Sequence, residues 1–339
     1  MGLRPHALGA GDPVPLLQLF AQRYRSGALS PSGLAVRSRT VEDAQRSVGQ
    51  TYAALGAPDP RLNSFGQLDF RLTALLAAWK RRDDPPTRVK PLPLDVIATV
   101  AHLAAAAGTP FDLAVADCLV VGFYFLLRPG EYTGTPRSHD DLFRIQDVQC
   151  WIGDRRIDPL LGTADELHAV TFVSLTFTSQ KNGVRGETIG HARSGHPFLC
   201  PVARLVSRLL ALRVQGGLPS TPLNAVGAGP PTQPPVFVYV TPPVLTTRIR
   251  IAVALHPELG RNTADYLARS TRAGGAMAML CAGIDGDRIR HIGRWRSDEM
   301  YRYLHVQAQP VMNGIAAAML RGGHFQFTPP ALPLPVPVF

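Results

Sequence analysis

Apolar residues recur every three or four positions through most of the chain, and this pattern predicts a mainly helical protein. Near the N-terminus it predicts three helices, at 14–27, 40–56 and 67–82. Thr40 followed by Asp43 has the form of a capping box at the start of the second helix, and Gly56 is a natural stop. These helices make up the predicted N-terminal module.

A proline-rich stretch separates this module from the rest of the chain. The sequence DDPPTRVKPLPLD at 83–95 contains four prolines, which interrupt any helix. We therefore predict four regions: a flexible leader (1–12), a helical module (13–85), a larger second domain (86–325) and a proline-rich tail (326–339).

The second domain mixes helical and strand patterns. Helices are predicted at 94–107, 111–128, 201–213, 244–254, 263–283 and 285–304. The second of these, FDLAVADCLVVGFYFLLR, is apolar almost all round, so it should be a buried central helix that Pro129 ends at Arg128. Strand signals near 142–148 and at 169–180, a KNG turn and a return strand to 192 predict a hairpin. The predicted fold class is mainly α with a small antiparallel β-sheet (α+β).

The composition favours a polyanionic partner. The chain has 35 Lys and Arg against 25 Asp and Glu, a formal charge of +10, and each phosphate that a cation neutralises releases counterions. No charge-free apolar run reaches the roughly 18 to 20 residues of a membrane helix, and the N-terminus lacks the apolar core of a secretory signal. We expect an intracellular protein with no membrane partner. The four cysteines are far apart and suggest neither a zinc site nor a disulfide framework.

Two stretches in the middle of the chain carry polar side chains that a plain fold does not need. In LLRPGEY at 126–132, Arg128 ends the apolar helix with Glu131 close by. This pair fits either a structural salt bridge or a clamp for an anion. Lys181 is placed at the tip of the predicted hairpin, where solvated lysines are also common.

Two further stretches lie nearer the C-terminus. In ARSTRAGGAMAML at 268–280, Arg269 and Arg272 are three positions apart and share one helix face. Two adjacent glycines follow, which cost helix stability unless another segment packs close to the backbone. In IGRWRSDEMYRYLHV at 292–306, Arg294 and Trp295 precede two tyrosines, each of which is a packing residue or a nucleophile.

The order and spacing of these four stretches resemble the tyrosine recombinase (phage integrase-like) family, and they are most similar to integrases of eukaryotic mobile elements. The resemblance covers about residues 13–325 and implies a helical core-binding domain followed by a catalytic domain. It implies that the catalytic residues are Arg128, Lys181, Arg269, Arg272, Arg294 and Tyr303, with Glu131, His291 and Trp295 in supporting positions. Nine positions separate Arg294 from Tyr303, and this register selects Tyr303 over Tyr301 as the nucleophile.

Two positions depart from the motifs of that family. Arg269 stands where histidine is most frequent, and Arg294 followed by Trp295 stands where histidine or tryptophan is usual. Arginine donates hydrogen bonds to phosphate but does not exchange a proton near neutral pH. Removal of the proton from Tyr303 is then left to another group or to water. His291 is either that substitute base or a helix-packing residue.

The resemblance implies metal-independent cleavage and rejoining of DNA through a 3′-phosphotyrosyl intermediate, without a cofactor. Arg128 and Arg272 would bind the non-bridging phosphate oxygens, and Lys181 would protonate the leaving 5′-oxygen. The implied partner is double-stranded DNA, with a homotetramer acting on two duplexes. The implied location is nuclear in a eukaryote and nucleoid-associated in a bacterium. Five cations near the linker are either contacts to the DNA backbone or a solvated helix end: Lys80, Arg81, Arg82, Arg88 and Lys90.

Three other functions compete with this interpretation. A recombinase-derived DNA-binding protein with a decayed active site would explain Arg269. A type IB topoisomerase-like enzyme would use the same chemistry to relax supercoils. A helical interaction scaffold would explain the charge but not the ordered motifs.

Overall fold

The structure is a computed structural model that describes residues 11–84, 90–136, 141–178, 186–229, 235–296, 300–301, 304, 309–313, 315–316 and 319. The chain forms two compact units, Met1–Thr87 and Arg88–Phe339, which divide inside the proline-rich stretch. The units are mainly helical and all the described strands pair in an antiparallel manner, so the predicted α+β class is confirmed. None of the described helices combines the length and the apolar character that a bilayer span requires.

Three helices form the first unit: α1 (Val14–Arg25), α2 (Ser38–Ala54) and α3 (Phe70–Arg82). Their apolar side chains meet in two small clusters, formed by Val14, Leu17, Leu72, Ala21, Val41 and Trp79. The predicted capping box at Thr40 is wrong, because α2 begins at Ser38. The Ser38 backbone N–H donates to the Asp83 carboxylate over 2.7 Å. An acceptor 45 residues away therefore replaces the local cap.

The second unit is built around α5 (Pro110–Tyr124), in which every side chain from Ala114 to Phe123 is buried. Three helices pack on it: α4 (Leu94–Ala107), α8 (Pro201–Val214) and α10 (Ser270–Cys281). A fourth, α9 (Pro242–Ala254), packs on α4. The prediction of a buried central helix is confirmed, because α5 has apolar neighbours on all sides.

Helix α5 ends at Tyr124, four residues before the predicted end at Arg128. Leu126 adopts a left-handed conformation with φ of 49°, which is unusual for a side chain of this size. The turn directs the carbonyl groups of Phe125 and Leu126 toward arginines from distant parts of the chain. Arg128 then precedes the one-turn helix α6 (Pro129–Tyr132). Long-range acceptors, which local sequence does not show, thus decide where α5 stops.

Four strands form the larger sheet: β1 (Val148–Ile152), β2 (Arg155–Ile157), β3 (Phe172–Phe177) and β4 (Glu187–Ala192). Their order is β2-β1-β3-β4, and the short helix α7 (Ala164–Ala169) lies between β2 and β3 in the chain. Strands β3 and β4 pair from Phe172 with Ala192 to Phe177 with Glu187. The turn predicted between them lies outside the described residues.

The strand expected near 142–148 is displaced, because β1 starts at Val148 and Ile145–Asp147 forms a 3₁₀ turn. The Asp147 carboxylate accepts the Arg144 backbone N–H over 2.8 Å, which favours this turn over a strand. A second sheet pairs β5 (Ala225–Gly227) with β6 (Phe237–Tyr239). These strands are only three residues long and have no pattern of their own in the sequence.

The C-terminal helices are shorter than predicted. The expected helix at 263–283 is a 3₁₀ turn at Thr263–Asp265 followed by α10, and the one expected at 285–304 is α11 (Gly286–Ile292). A short helix, α12, follows at Gln309–Met312. The adjacent glycines of α10 are explained by close packing, since a Cβ atom at Gly274 or Gly275 would overlap a carbonyl oxygen of a neighbouring segment.

Candidate functional site

Three segments that are far apart in the sequence meet at the turn after α5. The Leu126 carbonyl accepts a hydrogen bond from Arg272 Nη1 over 2.7 Å and one from Arg294 Nη2 over 3.3 Å. Arg128 and Glu131 follow Leu126 in the chain, and Trp295 follows Arg294. We call these residues the arginine cluster: Arg128, Glu131, Arg272, Arg294 and Trp295. Three predicted catalytic arginines and two predicted supporting residues, Glu131 and Trp295, are thus brought together.

Glu131 lies at the centre of the arginine cluster and is buried. One carboxylate oxygen, Oε2, accepts the Arg128 backbone N–H over 2.7 Å and Arg294 Nη2 over 3.0 Å. The other, Oε1, accepts Arg128 Nη1 over 3.3 Å. A buried carboxylate is tolerated when paired and hydrogen bonded in this way. Glu131 therefore links two arginines that are 166 positions apart (294 minus 128).

Arg294 is buried, and its backbone is left-handed with φ of 55°. Its Nη1 donates to the carbonyls of Phe125 over 3.2 Å and Ile292 over 3.1 Å. The guanidinium carbon lies 3.7 Å from the centre of the Phe177 ring, a cation–π contact. A left-handed arginine that is held by several segments indicates that the surrounding structure determines its position.

Arg272 is also buried and is held on both sides. Its Nη2 donates to the Gly293 carbonyl, in addition to the bond from Nη1 to Leu126. Its guanidinium carbon lies 4.3 Å from the centre of the Trp295 ring. These contacts tie α10 both to the turn after α5 and to the segment after α11. Trp295 thereby supports an arginine as well as the segment that leads toward Tyr303.

The arginine cluster carries three guanidinium groups against one carboxylate. Burial lowers the pKa of Arg294 to about 10, although the nearby Glu131 carboxylate acts in the opposite direction. Arg294 is therefore still charged at neutral pH, and the cluster has a net charge of about +2. Arg128 has a side chain that is 28% exposed, the most accessible of the three arginines. An approaching anion would meet this side chain first.

Arg269, which replaces the expected histidine, precedes α10 and is exposed. Its side chain makes no hydrogen bond or ion pair with any residue that the structure describes. His291 is exposed on α11, so it is not a packing residue, and its ring likewise has no described hydrogen-bond partner. Tyr301 is 62% exposed. Lys181 and Tyr303 lie outside the described residues, so their roles stay predictions.

The predicted DNA-contacting cations fall into different surroundings. Lys80, Arg81 and Arg82 end α3, are exposed, and form no ion pair within the described part of the chain. In the second unit, Lys90 Nζ lies 2.7 Å from Asp265 Oδ2, which raises the pKa of Lys90 and balances its charge. Arg88 lies outside the described residues. Among the four cations of this group that the structure describes, the free positive charge is therefore at the end of α3.

Two residues near the cluster did not emerge from the sequence. Phe177 ends β3 and stacks on Arg294, but in sequence it is an ordinary strand residue. His191 on β4 donates a hydrogen bond from Nε2 to the Tyr124 carbonyl over 2.9 Å, and burial lowers the pKa of His191. A carbonyl acts only as an acceptor, so the His191 ring nitrogen is the donor. Both residues connect the sheet to the turn after α5.

Within the described ranges, no group of three or more His, Cys, Asp or Glu side chains is arranged to hold a metal ion. A scan against protein-family models finds no match to the chain, and a comparison with curated proteins finds none that is significantly similar.

Proposed function

We propose that this chain is a site-specific DNA recombinase or integrase that cleaves and rejoins DNA through a tyrosine. The observation that supports this proposal is the meeting of Arg128, Arg272 and Arg294 at one turn. These residues come from three motifs that were identified by their order along the chain. In the sequence, the segment that contains Arg294 continues to Tyr303. A positively charged site whose Arg294 lies nine positions before a candidate nucleophile in the sequence suits a phosphodiester substrate.

In the proposed reaction, the hydroxyl oxygen of Tyr303 attacks the phosphorus atom of a DNA phosphodiester. A bond forms between the tyrosine and the 3′-phosphate, and the bond from phosphorus to the 5′-oxygen breaks. Lys181 donates a proton to that leaving oxygen. The phenol proton passes to water, since Glu131, the one carboxylate of the arginine cluster, is already occupied by hydrogen bonds from Arg128 and Arg294. Attack by a 5′-hydroxyl reverses these steps and rejoins the strand.

The arginines would stabilise the negative charge that grows on the phosphate oxygens during attack. Arg128 has an exposed guanidinium for this task, and planar guanidinium donors match the geometry of phosphate oxygens. Arg269, the N-cap residue of α10, would be an exposed second donor to the phosphate. Arg272 would support the site indirectly, by donating a hydrogen bond to the Leu126 carbonyl. One positioned proton transfer is typically worth about 10² to 10⁴ in rate, so an arginine at position 269 should slow the chemistry without abolishing it.

Binding of the duplex would use the free cations at the end of α3. Lys80, Arg81 and Arg82 are suited to backbone contacts, which position a protein on DNA without reading its sequence. Exchange of strands between two duplexes requires both strands of each duplex to be cleaved, and each cleavage uses the tyrosine of one subunit. A homotetramer on two duplexes is therefore part of the proposal.

Covalent trapping tests the proposed activity. A nicked half-site substrate loses its 5′-hydroxyl fragment after cleavage, so the protein–DNA bond cannot reverse. We expect wild-type protein to form an adduct that is stable in detergent and absent from Tyr303→Phe. Tyr301→Phe, two positions away, is the matched control and should form the adduct. DNA binding without any adduct from wild-type protein would contradict the activity.

A DNA-binding protein with a decayed active site is the second candidate. It is favoured by Arg269, which cannot act as a general base near neutral pH, and by the burial of Arg294. Reintroducing the frequent residue with Arg269→His distinguishes the two. Adduct formation only in that variant would indicate decay.

A further inference from the structure

Arg294 has almost no hydrogen-bonding capacity left for a ligand. A guanidinium has five N–H donors, two on each terminal nitrogen and one on Nε. Both terminal nitrogens of Arg294 are fully used, by three backbone carbonyls and by the Glu131 carboxylate. The remaining donor, Nε, is buried and has no partner among the described residues.

The surroundings of Arg294 also block the approach of an anion. Its side chain is 1% exposed, and the Phe177 ring covers one face of the guanidinium. An incoming phosphate would have to displace either that ring or a backbone carbonyl. It would also compete with the Glu131 carboxylate, which already accepts a hydrogen bond from Arg294 over 3.0 Å. Direct contact between Arg294 and DNA is therefore unfavourable.

Arg128 has the opposite character. Only its Nη1 and its backbone N–H are used, and both donate to Glu131. Its Nη2 and Nε have no partner in the described part of the chain. Arg128 is thus held by Glu131 through Nη1, and its Nη2 and Nε remain available to a ligand. The anchor is the same carboxylate that Arg294 holds.

We propose that Arg294 is a positioning residue, which fixes Glu131 and through it Arg128, and that it does not contact the phosphate. This inference rests on the proposed DNA-cleaving function, for which the sequence resemblance places Arg294 among the catalytic residues. The positive charge of Arg294 instead pairs with the buried Glu131 carboxylate. The phosphate-facing donor of the pair is Arg128.

Loss of Arg294 has a specific consequence for Arg128. Without Arg294, the buried Glu131 carboxylate would be left with Arg128 as its described cationic partner. The Arg128 guanidinium would then shift slightly toward Glu131, because a buried carboxylate is stabilised by closer pairing, so it would be misaligned with the scissile phosphate while its charge still neutralises that phosphate. Misplacement of a contact by about 1 Å can cost on the order of 10²-fold in rate. Catalysis would therefore fall while most of the DNA contacts remain.

The experiment compares Arg294→Met with Arg128→Met on a nicked half-site duplex. Rates of adduct formation are measured in single turnover, and the dissociation constant is measured over a range of salt concentrations. Arg294→Met should slow adduct formation by about 10²-fold and leave the salt dependence of binding unchanged. Arg128→Met should slow it as well and reduce the salt slope by about 0.9, the value for one lost phosphate contact. A reduced slope in Arg294→Met would overturn the proposal.

Arg290, on α11 and four positions before Arg294, provides the matched control. It lies near the surface, where its Nη2 is 3.5 Å from Asp287 Oδ1, and Arg290→Met should behave as wild type in both assays. Glu131→Gln should reproduce the rate loss of Arg294→Met. The double variant should be no slower than either single variant, because both changes release the same anchor. Additive losses would mean that Arg294 acts independently of Glu131.

A second measurement does not depend on cleavage. In DNA-free protein, the Arg128 Nε–H resonance is assigned by its disappearance in Arg128→Lys. It should shift in Arg294→Met and in Glu131→Gln, but not in Arg290→Met. An unchanged resonance in Arg294→Met would overturn the positioning role even if the wild-type protein cleaves DNA. Should Arg294→Met fail to fold, Arg294→Lys serves in its place, since lysine keeps the charge but cannot serve all four acceptors.

Discussion

The two cationic regions of this protein use the same kind of side chain in opposite ways. In the arginine cluster, Arg272 and Arg294 are buried and donate to backbone carbonyls. At the end of α3, Arg81 and Arg82 are exposed and have no described partner. A formal charge of +10 counts both regions equally. The comparison teaches that an arginine is available to an anion only when its donors are not already used by the fold.

Replacement of Arg272 should break the buried side of this comparison and have the largest effect. Arg272→Met leaves the Gly293 carbonyl without its donor and removes one donor from Leu126. A buried acceptor that loses its partner costs about 1 to 3 kcal/mol, and the stacking on Trp295 is lost as well. We expect the free energy of unfolding in urea to fall by about 3 kcal/mol.

Arg269→Met is the matched control for this measurement, three positions away. Since Arg269 is exposed and has no described partner, its removal should change the free energy of unfolding by less than about 0.5 kcal/mol. Equal losses in the two variants would contradict the division into buried and available arginines.

Neutralising the three cations at the end of α3 tests whether the exposed region binds DNA. The triple change Lys80→Gln, Arg81→Gln and Arg82→Gln should weaken DNA binding about tenfold and reduce the salt slope by up to about 2.7, because each phosphate contact contributes about 0.9. Stability should be unchanged. Binding is measured by fluorescence anisotropy from low to high salt.

Arg46→Gln tests whether only unpaired cations contribute to the affinity for DNA. Arg46 is also exposed in the first unit, but it lies 3.4 Å from Glu42 and 3.3 Å from Asp43. We expect little change in the affinity for DNA. An equal loss would show that the carboxylate partners do not screen it.

Asp83 offers the smallest effect and extends the comparison to an acid. Hydrogen bonds from Ser38 and Arg25 lower the pKa of Asp83 from 3.8 to about 2. A folded-state pKa below the unfolded one stabilises the protein above about pH 4, and this contribution is lost as the pH falls toward 2. Asp83→Ala should cost about 1 kcal/mol at pH 7, the typical value of a helix cap. The cost should disappear in urea titrations near pH 2.

The exposed Asp43, which pairs only with surface arginines, is the control acid for that titration. Asp43→Ala should cost less than about 0.5 kcal/mol at pH 7. An Asp83→Ala cost that persists unchanged at pH 2 would rule out the ionised carboxylate as its cause.

Local patterns predicted the main elements because their causes are local. Helix α4 runs from Leu94 to Ala107 as predicted, since its apolar spacing and the following glycine lie within the segment itself. The uninterrupted apolar run of α5 similarly indicated its burial. The hairpin strands followed from the accumulation of β-branched and aromatic residues in β3.

The ends of elements and the roles of the arginines depended on distant partners. Helix α5 stops early because its last carbonyls turn toward Arg272 and Arg294, which are 146 and 168 positions away from Leu126. The predicted helix through Arg294 ends at Ile292, and the backbone turns left-handed at Arg294. Sequence spacing identified Arg294 as important, but only the structure shows that its donors are used internally. His291 likewise required the structure, which places it in solvent.

The left-handed turn at Leu126 has a consequence for how the protein acquires its site. A leucine in this conformation is disfavoured on its own, so the turn depends on hydrogen bonds from arginines near the other end of the chain. Such contacts form only after long loops have closed. A nascent or partly unfolded chain therefore lacks the assembled cluster. The protein cannot present its cationic site until α10 and the segment after α11 have docked, which confines any activity to fully folded molecules.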